Sequence, residues 1–385
     1  MRNWVLPEYV EDVLPAEAWR VERLRRLLLD HFAAHGYELV MPPMIEYLES
    51  LLTGTGHDLD LRTFKLVDQL SGRMLGVRAD ITPQVTRVDA HLLNRRGVTR
   101  LAYCGTVLHA RPAAASHSRE ILQIGAELFG HAGVDGDIEI QRLMLDALRR
   151  AGVRGMHLDL GHVGLFRALC RHGDVPMELE GELFVALQGK DVPGLRTLSA
   201  SLSSTVRGAM LALPELYGGA EVLGEARRRL PALPEVGACL SQLERIATGL
   251  EGHVDALLID LGELRGYHYH SGAVFAAYAA GSPNALALGG RYDEVGKAFG
   301  RARPATGFSL DLRALASIAE LPTPASPVYA PACGGEALAA EIARLRAAGE
   351  VVIVALPGED AMLDAKAPVR ELVESNGRWQ VSVRP

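Results

Sequence analysis

The chain has 385 residues, of which 48% are hydrophobic and 23% charged, with 40 Lys and Arg against 47 Asp and Glu and a formal net charge of −7. That length allows two or three domains, and the acidic balance tilts against unaided grip on a polyanion, which depends on basic residues neutralising phosphates. The first residues lack an apolar core, no apolar run reaches membrane-spanning length, and Cys104, Cys170, Cys239 and Cys333 have no metal spacing, so a cytoplasmic protein is expected, without signal peptide, membrane span, disulfides or bound metal.

In chain order, "PAEAWRVERLRRLLLDHFAAHG" predicts a helix. Val21, Leu24, Leu27, Leu28 and Phe32 recur at helical spacing and Gly36 is placed to end it. The stretch "YELVMPPMIEYLESLL" predicts a short strand stopped by Pro42 and Pro43, then a second helical piece. "RMLGVRAD", "TRLAYCGTVLHA" and "EILQIGAELFG" alternate like strands of one antiparallel sheet. "GDIEIQRLMLDALRRAG" predicts a helix ending at Gly152, and "MHLDLGHV" a further strand. The basic clusters Arg23–Arg26 and Arg227–Arg229 lie on amphipathic patterns and read as solvated helix faces.

From Gly164 to Gly252 the chain turns Leu- and Ala-rich, with Pro and Gly breaks and no strand pattern, which predicts a helical insertion. Strand signals return in "ALLIDLGELRGYHYHSGAVFAAYA", "NALALGGRYDEVG" and "PATGFSLDLRALASIAE". The segment "LPTPASPVYAPACGG" reads as a linker. Beyond it come a helix "EALAAEIARLRAAG", a buried strand "EVVIVAL", a helical "VRELVESNG" and a last strand "RWQVSV". The expected fold class is α+β. Its antiparallel sheet, flanked by helices, is contributed by residues 1–163 and 253–321, with the helical insertion at 164–252 and a linker and reduced α/β domain at 322–385.

Taken on position alone, Asp80, Gln123 and Glu127 read equally well as hydrogen-bonding residues of a polar sheet face, and Arg265 as the partner of a sheet carboxylate. His268 and His270, two apart on an expected strand, would share a face, but no third metal ligand accompanies them. The loop "GGRYD" lacks the Lys-Ser/Thr of a phosphate loop.

Several motifs, in order, resemble the catalytic core of histidyl-tRNA synthetase, a class II aminoacyl-tRNA synthetase. "HGYELVMPPMIEYLESL" resembles motif 1, the dimer-forming helix and strand, with Pro43 and Glu46 at matching positions. "VRADITP" resembles the family's Arg-Pro-Glu-Gly-Thr strand, and "LHARPAAASHSREILQIGAELFG" resembles motif 2 with the Gln-Ile-Gly-x-Glu segment after it. "LRGYHYHSGAVF" and "LGGRYDEV" are similar to the two histidine-specific motifs, and "ATGFSLDLRAL" to motif 3. The resemblance covers roughly residues 1–320 and implies the class II fold.

It also implies two unequal halves of a site. On the histidine side, Asp80 falls on the family's ammonium-binding Glu and Thr82 on its accompanying hydroxyl. Gln123 and Glu127 match the ligand-contacting pair, Arg265 the arginine near the substrate carboxylate, and Tyr292 the tyrosine that closes the pocket. Tyr269 keeps the first member of a Tyr-Tyr pair and His270 replaces the second. On the nucleotide side, Leu108 falls on the motif 2 arginine, Ala110 on its glutamate and Ala314 on the motif 3 arginine, while Ala113–Ala115 replace a polar loop. A missing transition-state donor costs on the order of 10²–10³ in rate, so the pattern predicts loss of adenylate formation.

Retention of the histidine half alone resembles the regulatory subunits of ATP phosphoribosyltransferase, the first enzyme of histidine biosynthesis. That resemblance implies a non-catalytic chain with no cofactor, a homodimeric core inside a hetero-octamer with the short-form catalytic subunit, L-histidine as effector, and no tRNA or membrane partner. Two other readings stay open: a divergent histidyl-tRNA synthetase, and a scaffold whose histidine pocket is vestigial.

Overall fold

The computed structural model describes residues 4–54, 57–112, 118–323, 325–357 and 369–384. By its own contacts the chain divides into two units, Met1–Glu320 and Leu321–Pro385.

The first unit is built on a nine-stranded sheet. Its strands are β1 (Glu38–Leu39), β5 (Thr99–Leu108), β6 (Glu120–Phe129), β7 (Met156–His162), β8 (Tyr217–Gly218), β9 (Ala256–Asp260), β10 (Ala273–Ala279), β11 (Ala287–Arg291) and β12 (Ala305–Asp311), in the spatial order β1-β5-β6-β12-β11-β10-β7-β9-β8. The pairs β1–β5 and β7–β9 are parallel and the others antiparallel, so the sheet is mixed rather than purely antiparallel. The strands β2 (Ile45–Tyr47), β3 (Phe64–Val67) and β4 (Met74–Val77) form a separate three-stranded antiparallel sheet. "RMLGVRAD" is therefore a strand, as its alternation predicts, but of this smaller sheet; Ile45–Tyr47, in the expected second helical piece, is extended instead.

Strand alternation gives the large sheet two chemically different faces. On one, α1 (Pro15–Ala34) buries Leu24, Leu28 and Phe32, and the Phe32 ring meets Phe308 of β12 edge-on at 5.8 Å. The other face carries Leu101, Tyr103 and Val107 of β5. It is covered by α2 (Thr82–Arg87), whose Val85 joins Ile81, Tyr292 and Val295 in one buried cluster. The long helix α3 (Val134–Arg150) buries Ile140, Leu143, Met144 and Leu148 and ends before Gly152, whose φ of +82° needs a glycine.

Residues 163–249 are largely helical, from Val163–His172 to Pro234–Gly249. They also contain β8, which adds to β9 through Tyr217 opposite Asp260, a strand too short to leave an alternating pattern. His268 and His270 lie in the connection between β9 and β10, not on a strand, because Gly266 at φ +64° bends the chain there. Among the described residues no cluster of His, Cys, Asp or Glu could hold a metal, and no helix is long and apolar enough to cross a membrane. The basic clusters are matched by acids: Arg25 and Arg26 both pair with Glu22, Arg227 with Glu244, and Arg229 with Glu215 and Glu225.

The second unit has a four-stranded sheet in the order β14 (Val352–Val354), β13 (Val328–Ala330), β15 (Val369–Ser375), β16 (Arg378–Arg384), with helix Gly335–Ala347 packing Leu338, Ile342 and Leu345 into its core. Two expectations are corrected here. Val328–Ala330, inside the expected linker, is an inner strand. "VRELVESNG" is not helical: Asn376 and Gly377, at φ +53° and +71°, make the turn of a hairpin in which Val369–Ser375 pairs with Arg378–Arg384. Asn-Gly between strands matches the left-handed pair such a hairpin needs.

Candidate functional site

The site is on the α2 face of the sheet. Gln123, Gly125 and Glu127 alternate along β6 and share that face, opposite Gly105, Tyr103 and Leu101 of β5 and Asp311, Ser309 and Gly307 of β12. Glycine clears the floor: a methyl group at Gly125 would stand 2.5 Å from the Tyr103 hydroxyl, and one at Gly290 2.6 Å from the His270 ring.

Over that floor the Glu127 carboxyl is 1% exposed. Its Oε1 accepts from the Tyr103 hydroxyl at 3.1 Å and its Oε2 from the Tyr292 hydroxyl at 2.5 Å. With its own hydrogen committed to Glu127, Tyr103 accepts from Thr82 Oγ1 at 3.1 Å. Burial pushes the Glu127 carboxyl up to about 8, against the lowering by its hydroxyl donors.

Gln123 clamps the segment preceding α2 to β6. Its Nε2 donates to Asp80 Oδ1 at 2.8 Å and its Oε1 accepts from Ile81 N at 2.9 Å, while Thr82 N donates to Asp80 Oδ1 at 3.1 Å. Among the described residues neither Asp80 nor Glu127 has an ion pair with Lys or Arg. Two unpaired carboxyls walled by tyrosines make a site suited to cationic N–H groups. Tyr269 packs against Tyr292 with the rings tilted by 34° and their centroids 5.0 Å apart. Its buried hydroxyl has no hydrogen bond of good geometry among the described residues, with Thr86 as its polar neighbour. A buried donor left so costs about 1–3 kcal/mol, which a ligand acceptor would recover.

Asp80, Thr82, Gln123, Glu127, Tyr269 and Tyr292 are thus one connected group. Arg265 is not joined to it: its Nη2 donates to Glu263 Oε2 at 3.1 Å and to the Tyr278 hydroxyl at 3.2 Å. His270 packs over Gly290, its Nδ1 3.3 Å from the Arg265 carbonyl. Burial pulls its imidazole down to about 4, so it is neutral at pH 7. Arg265 and His270 border a cavity of about 30 Å³, room for about one water.

On the expected nucleotide side, Leu108 pairs with Glu120, and alternation sends its side chain to the α1 face, away from Gln123. The next residue, His109, is the one on the site face. Its Nε2 is 3.0 Å from the Ala79 carbonyl, its Nδ1 is buried without a partner among the described residues, and burial pulls its basicity down. Ala110 donates its backbone N–H to the Arg62 carbonyl at 2.7 Å. Ala314 is exposed on the helix Leu312–Ile318, hereafter α4. None of these side chains supplies a guanidinium. Ala113–Ala115 lie outside the described residues.

Sequence reasoning missed Tyr103, His109 and Asp311. Asp311 stands opposite Gln123 and caps α4 by accepting from Arg313 N at 2.9 Å. Continuing the alternation Leu101, Tyr103, Gly105 against Gln123, Gly125, Glu127 would have found Tyr103, since a tyrosine facing a glycine fills the space that glycine leaves.

Residues 9–315 match the family described as histidyl-tRNA synthetase, and residues 325–382 match the family described as the ATP phosphoribosyltransferase subunit HisZ C-terminal domain. The chain is 58% identical over 382 residues to an ATP phosphoribosyltransferase regulatory subunit of Ralstonia pickettii, covering 99% of this chain and 98% of that one. It is 58% identical over 384 residues to the protein of that name from Burkholderia lata, covering 100% of both. A crystal structure described as an ATP phosphoribosyltransferase regulatory subunit/histidyl-tRNA synthetase from Bacillus halodurans superposes with a TM-score of 0.83 at 28% identity, over 94% of this chain and 95% of that one. The histidyl-tRNA synthetase of Nostoc sp. PCC 7120 shares the fold, with a TM-score of 0.76 at 18% identity over 95% of this chain and 88% of that one.

Proposed function

The chain belongs to the family of ATP phosphoribosyltransferase regulatory subunits, and we propose that it is the histidine sensor of the short-form catalytic subunit. As a regulatory subunit it serves the first step of L-histidine biosynthesis without carrying out the transfer itself.

The observation that carries the sensing role is the Glu127 carboxyl, buried between two tyrosine hydroxyls and free of any Lys or Arg partner among the described residues. In this reading Glu127 takes an imidazole N–H, while Asp80 and Thr82 take the α-ammonium group. Gln123 holds Asp80 in place, and Tyr269 and Tyr292 close over the ring. Arg265 would reach the ligand carboxylate after exchanging Glu263 for it, and His270 lies between Arg265 and the floor. Leu108, Ala110 and Ala314 leave the nucleotide half without phosphate-binding guanidiniums, so the chain neither activates histidine nor charges tRNA.

The working assembly is a homodimeric core within a cytoplasmic hetero-octamer. Histidine bound more tightly in one quaternary state shifts the transferase toward it. A coupling of about 1–3 kcal/mol gives about 5–150-fold inhibition.

The test is reconstitution with the short-form catalytic subunit. Glu127→Ala is expected to weaken histidine inhibition while leaving most of the activation. Equal loss of both would remove the sensor reading, and histidine-dependent ATP–pyrophosphate exchange by the isolated chain would restore the synthetase reading.

A further inference from the structure

Behind the Glu127 site, on the α1 face of the same strands, lies a second cavity of about 200 Å³. Val13, Val21 and Leu122 give it apolar walls, and Thr106, Glu120 and Arg313 its polar groups. We propose that this cavity is a second small-molecule site, which takes a free α-amino acid with an apolar side chain.

The charges argue for a zwitterion. Arg313 Nη1 is buried with no hydrogen-bond partner among the described residues. The nearest carboxylate is Glu120, whose Oε2 is 3.5 Å from Arg313 Nη2, an ion-pair distance too long for a good hydrogen bond. Glu22, also at the wall, is already engaged by Arg25 at 2.6 Å and Arg26 at 2.7 Å. The cavity thus presents one under-used cation and one under-used anion. A simple carboxylate would satisfy Arg313 and face Glu120 unfavourably, and a simple amine would do the reverse. An α-amino acid satisfies both: its carboxylate accepts from the Arg313 guanidinium and its ammonium donates to Glu120.

Size and lining favour a small apolar side chain. The volume of about 200 Å³ is of the order of a small amino acid such as valine or leucine. Apolar walls favour those side chains over polar ones. The site is independent of Glu127 because Thr106 and Leu122 project to the face opposite Gly105 and Gln123.

Calorimetry of the full chain with L-valine, L-leucine and L-methionine tests the proposal. At least one is expected to bind wild type and Glu127→Ala alike. Binding should weaken about tenfold or more in Arg313→Met, the loss expected for one charge-assisted hydrogen bond. Glu120→Gln, at a partly exposed position, should weaken it comparably and leave the histidine isotherm unchanged, so the test stands if Arg313→Met fails to fold. No heat with any of the three at millimolar concentration overturns the proposal. So does binding abolished by Glu127→Ala, or binding indifferent to both wall variants.

Discussion

Gly307 of β12 lies directly opposite Glu127 of β6, and a Cβ built on Gly307 would stand 1.5 Å from Glu127 Oε2. The carboxyl therefore occupies the space a side chain at 307 would fill. The backbone at Gly307 is not left-handed, so alanine meets no conformational penalty there and its effect falls on Glu127. Gly307→Ala is expected to push the carboxyl off the Tyr103 and Tyr292 hydroxyls and to lower histidine affinity about tenfold or more, the worth of one or two lost hydrogen bonds. Calorimetry reads the affinity and near-ultraviolet dichroism the retained packing. Wild-type affinity in a folded variant would mean that Glu127 does not contact the ligand.

Histidine affinity should peak near neutrality. Below about pH 6 the free imidazole, with an ordinary value of about 6.5, is already charged. Glu127, at about 8, is still protonated there, so forming the carboxylate–imidazolium pair releases a proton and affinity rises with pH. Between the two values the proton passes from Glu127 to the ring and the net exchange is small. Above about 8 both partners start deprotonated, binding takes up a proton and affinity falls. Titrations in buffers of different ionisation enthalpy would show the exchange change sign. A flat profile through pH 9 would exclude Glu127 as the ring's partner.

The same carboxyl sets a pH dependence of stability without ligand. Its folded value of about 8 lies above the ordinary value of 4.5, so the folded chain holds a proton that the unfolded chain has lost. Its stabilising contribution is complete below about pH 4.5, declines as pH rises and is lost above about pH 8, a change on the order of a few kcal/mol. Glu127→Gln cannot titrate and should flatten that slope in urea unfolding followed from pH 5 to 8. Parallel slopes for the two proteins would place the titrating group elsewhere.

The sheet and the shared face of Gln123 and Glu127 were legible because each depends on local patterns. Strand alternation sets Gln123 and Glu127 on one face, and a four-residue spacing survives any choice of register. A one-residue slip at the end of β5 exchanges the two faces, and nothing in the composition of "VLHARP" fixes which residue turns inward. Tyr103 and Asp311 required knowing which strands pair with β6, information carried by long-range contacts. The second unit misled through its helical-looking Glu371 and Glu374, although the Asn376-Gly377 turn was present in the sequence and outweighed their helix propensity.

Beside Tyr292, Arg291 is buried and donates to Asp137 of α3, with Nη2 to Oδ2 at 2.9 Å and Nε to both carboxylate oxygens at 3.1 Å. It also donates to the His131 and Gly133 carbonyls, so it ties the end of β11 to the start of α3. Asp137→Ala would leave a guanidinium only 6% exposed beside its remaining neutral acceptors and the partly exposed Asp293. Removing one partner of a buried pair costs about 3–5 kcal/mol, mostly the penalty of the charge left behind. Asp137→Ala combined with Arg291→Met removes both charges and should recover much of that loss. Because Tyr292 follows Arg291 directly, the single variant should also loosen the tyrosine that holds Glu127 and weaken histidine binding. Urea unfolding of the single and double variants gives the coupling directly. A double variant no more stable than the single one would show that the pair's geometry, rather than an uncompensated charge, is what the fold requires at this position.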